Sequence, residues 1–171
     1  MTRLSKLRKT FNLSFYSWYN SKVLLILLTG LIITGCKFHS IFEKSADIPQ
    51  SRWSKNLKIN FEVPVTDTLN GYNILISLRN NNEYPYSNCY LYVNTISPKG
   101  INIHDTVEFT LADDNGKWLG HGFGGVWSTE FYKKNIRFPV KGVYKIEVVH
   151  AMRDEPLNGI MDVSMRIEKV K

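Results

Sequence analysis

The chain of 171 residues carries 22 Lys and Arg against 15 Asp and Glu, a formal net charge of +7, which would ordinarily point to an anionic partner. Five of those basic residues, Arg3, Lys6, Arg8, Lys9 and Lys22, fall within the first 35 positions, which hold no Asp or Glu. The other 136 residues carry 17 basic and 15 acidic side chains, so the excess belongs to a leader and gives no ground for nucleic-acid binding.

The leader has the layout of an export signal, a basic region followed by an apolar run. The run Val23 to Ile33 counts eleven residues, whereas a helix needs roughly 20 to span a bilayer. It closes on Ile33-Thr34-Gly35-Cys36, which resembles the lipobox of bacterial lipoproteins. In that reading residues 1–35 form a helical signal peptide that is removed, the Cys36 sulfur carries a diacylglycerol, and the new amine at Cys36 is acylated. Two or three acyl chains at about 0.8 kcal/mol per buried methylene give lasting attachment to a membrane. No other cofactor is expected. With Cys36 lipidated, Cys89 has no disulfide partner, and its place in an alternating apolar pattern marks it as a buried structural thiol.

Residues 36–52 then read as the lipidated cysteine and a flexible tether. Lys37 to Gln50 lacks periodicity, and a coil of its 14 residues reaches roughly 20 Å. From residue 53 to 171 the pattern has period two, the mark of half-buried strands. Strands are expected at Lys58–Val63, Tyr72–Leu78, Cys89–Thr95, Thr106–Leu111, Val143–His150 and Met161–Val170, with a short edge strand at Lys134–Pro139. Arg79 to Asn82 reads as a loop or strand end, and Met152 to Gly159 as a loop. Tyr84-Pro85-Tyr86 interrupts the pattern, with a trans bond as the default. Asp113-Asp114-Asn115-Gly116 is a strong hairpin signal whose return strand is Lys117–Leu119. No amphipathic helix follows the leader. About seven to nine strands at this spacing predict an all-β fold, an antiparallel β-sandwich or jelly roll.

Few residues offer chemistry. Gly120, Gly122 and Gly125 satisfy G-x-G-x-x-G, but no helix follows and no βαβ unit surrounds them, so loop glycines are the better account. His39, His104, His121 and His150 have no ligand spacing, which predicts no metal site. Asp113 and Asp114 precede Asn115-Gly116 as turn residues do. No nucleophile elbow occurs, and a hydrolase built on His121 with Asp113 or Asp114 is the weakest reading; no catalytic residue is assigned. The glycine-rich stretch from Gly120 to Trp127 is the least regular part of the domain. Trp118, His121, Phe123 and Trp127 in and beside it are the candidate surface for a partner or ligand, because rigid rings give large contact area at small entropic cost. A carbohydrate- or peptidoglycan-binding module using Trp118, Phe123 and Trp127 is the alternative reading.

One order of motifs is more specific. Tyr72 and Arg79, YPYSN from Tyr84, Asp105-Thr106, Leu111-Ala112-Asp113, GKWLG from Gly116, Gly142-Val143-Tyr144 and HAMRDEPLNGIMDV from His150 follow the lipobox. In that order the chain resembles the gliding motility lipoprotein family GldH of Bacteroidota. The resemblance implies a non-enzymatic accessory or scaffold component of the gliding machinery and its coupled protein secretion system, with other gliding or envelope lipoproteins as partners. Surface-exposed lipoproteins of these bacteria often have an acidic cluster after the lipidated cysteine. Lys37-Phe38-His39-Ser40 has none, which favours the periplasmic face of the outer membrane, with the inner membrane as the alternative.

Overall fold

The computed structural model describes residues 40–170. The leader 1–35, the motif Ile33-Thr34-Gly35 and the expected lipidation site Cys36 lie outside the described residues.

The elements in chain order are β1 (Ser40–Asp47), a 3-10 turn (Pro49–Ser51), β2 (Arg52–Trp53), β3 (Ile59–Val65), β4 (Tyr72–Asn81) and β5 (Asn88–Ile96). After these come β6 (Asn102–Thr110), β7 (His121–Phe123), β8 (Val126–Ile136), β9 (Gly142–His150), β10 (Leu157–Asn158) and β11 (Ile160–Lys169). All strand pairings are antiparallel, in a five-stranded sheet of order β1-β11-β4-β8-β7, a four-stranded sheet of order β3-β9-β5-β6, and the two-residue pair β10-β2. The fold is the all-β sandwich expected from the alternation.

The alternation explains the layers. In β3 the residues Ile59, Phe61, Val63 and Val65 are buried while Asn60, Glu62 and Pro64 are exposed. The facing sheet contributes Tyr72, Ile76 and Leu78 from β4 and Val163, Met165 and Ile167 from β11 to the same core. Each aliphatic or aromatic side chain so buried contributes about 1.5–3 kcal/mol. Tyr72, Phe138 and Tyr144 tie the two sheets at one end, with ring centroids 5.4 and 4.7 Å apart along the row.

Several boundaries differ from the sequence reading. The expected coil from Lys37 to Gln50 contains β1, which pairs with β11 from Ser40↔Glu168 to Asp47↔Asp162, so the sheet begins at Ser40 and not at Trp53. Phe42 and Ala46 pack against the core, but Lys44 shares their face, opposite Met165, and remains exposed. That inward lysine breaks the apolar alternation and is a common guard on edge strands. β4 continues through Arg79 to Asn81, and the short edge strand expected at Lys134–Pro139 is the end of the long β8. Leu157–Asn158, inside the expected loop, pairs with Arg52–Trp53.

The glycine-rich stretch is regular too. β7 and β8 form a hairpin with Phe123 opposite Val126, joined by Gly124 and Gly125 at φ of 66° and 84°. Positive φ at both positions is what a two-residue type I′ loop requires. A Cβ on Gly122 would sit 1.8 Å from the Val126 carbonyl oxygen, so the close pairing of these strands depends on glycine there.

Candidate functional site

Strand direction divides the domain into two ends. β4 leaves its sheet at Asn81, β5 and β8 enter at Asn88 and Val126, and β6 leaves at Thr110, so residues 82–87, 111–120 and 124–125 gather at one end. Ser40 lies at the other end, its strand antiparallel to β11 and close to the start of β4 at Tyr72. β4 counts ten residues, which at about 3.3 Å each separates the ends by roughly 30 Å.

The hairpin expected at Asp113 forms at the first end. The Asp113 carboxylate accepts the backbone N–H groups of Asn115 and Lys117 at 3.0 and 2.9 Å, but the expected return strand Lys117–Leu119 is reduced to a single bridge between Ala112 and Trp118, with Leu119 N–H donating to the Leu111 carbonyl at 2.8 Å. These three bonds place Trp118 against the turn that follows β4. Its ring lies 6.5 Å from that of Tyr84 at an interplanar angle of 48°, and Tyr84 meets Tyr86 edge to face at 5.9 Å. Between them opens a cleft of about 530 Å³ walled by Tyr84, Tyr86, Trp118, Ser87, Asp113 and Asp114.

The groups around the cleft are engaged in bonds within the fold. Tyr84 is 3% exposed and donates its hydroxyl to the Asn88 carbonyl at 2.7 Å; burial pushes its phenol well above the usual range. Cys89, directly beneath, is fully buried, and burial pushes its thiol up to about 11, which keeps it protonated and unreactive. The Tyr86 phenol is also raised, first by its hydrogen bond to Asp154. No histidine lines the cleft, so its one hydroxyl of the nucleophile type, Ser87, has no imidazole base beside it. Among the described residues no group of three or more His, Cys, Asp or Glu is placed to hold a metal ion.

The four aromatic and histidine candidates do not form one surface. Trp118 belongs to the cleft. Trp127 sits opposite Asn80 and Gly122 on the inner side of its sheet, half-buried, with its indole N–H 3.4 Å from the Asn82 side-chain oxygen. His121 and Phe123 pair with Ser128 and Val126 instead, and alternation turns them to the outer side. Phe123, at the hairpin tip, is 95% exposed. Tyr84 and Tyr86 were not among the sequence candidates, although the Tyr-Pro-Tyr break in the strand pattern marks the turn they occupy.

The described residues thus form a small antiparallel β-sandwich with an aromatic cleft at one end. The family model described as GldH lipoprotein matches residues 40–167, from the first residue of β1 to within β11, and the chain belongs to this family. It is 36% identical over 155 residues to the gliding motility lipoprotein GldH homolog of Christiangramia forsetii, covering 86% of this chain and 94% of that one. It is 33% identical over 153 residues to the gliding motility lipoprotein GldH of Flavobacterium johnsoniae, covering 85% and 94%. Among solved structures, a fructofuranosidase from Schwanniomyces occidentalis in complex with fructose is similar with a TM-score of 0.39 at 11% identity, over 77% of this chain and 34% of that one. That likeness is too loose to carry any argument.

Proposed function

We propose that this chain is a non-enzymatic scaffold lipoprotein of the gliding machinery and its coupled secretion system, held by acyl chains on Cys36 at the periplasmic face of the outer membrane. The family and the two gliding motility relatives support the setting. One observation carries the role. The exposed Phe123 tip and the Trp118 cleft lie at the end of the sandwich opposite Ser40, so a membrane anchor at Cys36 leaves them facing away from the bilayer and free to meet other envelope lipoproteins. A photo-crosslinking residue at position 123, introduced in cells, is expected to capture a defined partner that is lost when Cys36→Ala mislocalises the protein. Capture that is unchanged in Cys36→Ala, or no capture at all, would count against the scaffold reading. Separation of outer from inner membranes by density tests the location directly.

The cleft favours one second reading, a glycan or peptidoglycan site in which Trp118 and Tyr86 supply ring surface and Asp113 and Asp114 accept sugar hydroxyls. Binding of the purified protein to a glycan array, abolished by Trp118→Ala, would support it. Phe123 and Trp127, on opposite sides of the hairpin, would not take part.

A further inference from the structure

The end of the sandwich that carries Ser40 has its own surface chemistry. Of nine large apolar side chains exposed among the described residues, five (Ile41, Leu69, Ile101, Ile103 and Val143) lie at this end, and Leu69 is 85% exposed. They come from separate parts of the chain. Leu69 sits in the loop between β3 and β4, Ile101 in the loop before β6, Ile103 just inside β6, and Val143 at the start of β9.

Charge follows the same division. The three loops at this end, residues 66–71, 97–101 and 137–141, carry Lys99, Arg137 and Lys141 and a single carboxylate, Asp67. That carboxylate is already satisfied, with Lys169 at 2.8 Å and the Leu69 backbone N–H at 2.9 Å, and these bonds hold it well below the usual range. Aliphatic side chains exposed beside unpaired cations are the composition of a surface that rests on anionic headgroups with its apolar tips in the acyl boundary.

Chain length fixes where such a bilayer would be. Cys36 lies four residues before Ser40, a reach of at most about 14 Å even when fully extended. The strand β1 removes the longer tether that a coil to residue 50 would have allowed. We infer that the loop surface of Leu69, Ile101, Lys99, Arg137 and Lys141 is a second membrane contact, seated on an anionic phospholipid bilayer and fixing the sandwich upright on it. This rests on the lipid anchoring of Cys36 proposed above, and it adds an orientation that an acyl chain alone does not impose.

The test uses the full chain processed in its own cells and reconstituted into vesicles containing phosphatidylglycerol. Cys89 is fully buried, so cysteines introduced singly by Leu69→Cys, Ile101→Cys and Phe123→Cys accept a fluorophore selectively. Labels at 69 and 101 are expected to lose their fluorescence to a quencher carried on the lipid tails and to resist iodide, and the label at 123 to behave in the opposite way. Flotation of the same vesicles, with Cys36→Ala as control, reports on the anchor separately. If the protein floats but labels 69 and 101 are as open to iodide as label 123, the membrane contact is wrong and the anchor stands. If the wild type does not float, the anchoring reading fails and the contact with it. Shielding of position 69 that persists in detergent, with crosslinks between copies, would make this surface a dimer face and overturn the inference.

Discussion

Asp162 on β11 is only 5% exposed although it lies on the outer side of its sheet, because Arg79, its direct cross-strand partner on β4, pairs with its carboxylate and covers it. The Ser45 hydroxyl of β1 reaches the same carboxylate at 3.4 Å, so one side chain joins three neighbouring strands. Asp47 sits opposite Asp162 on the other flank, which makes the arginine the charge that keeps two carboxylates compatible. Truncating Arg79→Met leaves a buried acceptor without its donor and is expected to cost about 1–3 kcal/mol, toward the lower end because the arginine is itself half in water. Urea unfolding of the single variants and of Arg79→Met with Asp162→Leu checks it; the double variant should recover part of the loss.

His150 supplies a pH dependence. It is 1% exposed, and its ring lies 5.4 Å from that of Trp53. Burial holds its pKa below the ordinary 6.5, against the opposing pull of Glu155, whose carboxylate is 3.8 Å away, and of Asp154, while Lys55 adds to the lowering. The unfolded chain therefore binds the proton first as pH falls. Stability is complete above pH 6.5 and declines below it, by up to about 1.4 kcal/mol per pH unit. Thermal unfolding between pH 7.5 and 5.5 should show that decline in the wild type and a flatter profile in His150→Phe, which keeps the ring against Trp53.

Gly159 links the cleft to the strand network. Its φ is +88°, and a Cβ there would meet the Tyr84 backbone nitrogen at 2.3 Å, while its N–H and C=O bond to Ser51 and Asn81 at 2.8 and 2.9 Å. Gly159→Ala adds a backbone clash to the roughly 1–2 kcal/mol that a left-handed conformation costs an L-residue. The expected loss exceeds 2 kcal/mol. Gly100→Ala, at φ +79° with nothing within 4 Å, isolates the conformational part and should cost about 1 kcal/mol. Equal losses in the two variants, compared by chemical denaturation, would show that the contact with Tyr84 does not matter.

Much of this architecture is legible in residue order, and the parts that are not have identifiable causes. β3, β4, β5, β9 and β11 alternate cleanly because both sheets bury one face. β1 escapes notice because Lys44 occupies a core-side position, and β7 because its core-side position is Gly122, which has no side chain to report a face. The turn at Asp113 is readable locally, but the cleft is not. Tyr84 and Trp118 are brought together by the pairing of β5 with β6, a register that no local motif encodes. The same limit explains the split of the candidate surface, since a hairpin places Phe123 and Trp127 on opposite sides even though they are four positions apart.

Phe123 gives the sharpest separation of function from stability. At 95% exposure its ring buries almost nothing within this chain, so Phe123→Ser is expected to change unfolding free energy by no more than about 0.5 kcal/mol. An exposed aromatic at a hairpin tip that contributes nothing to its own fold is the type of anchor that dominates protein interfaces, where truncation of a central aromatic costs about 2 kcal/mol or more of binding. In cells carrying Phe123→Ser, the protein should accumulate to wild-type levels at its membrane while spreading of colonies and capture of the partner, read here by co-purification, fall together. Trp127→Phe is the matched control. Its side chain faces inward beside Asn80, so it should lower stability through the lost contact with Asn82 while leaving partner capture in the folded fraction intact. A Phe123→Ser strain with full spreading and full capture would place the contact elsewhere on this end, with the Trp118 cleft as the next surface to substitute.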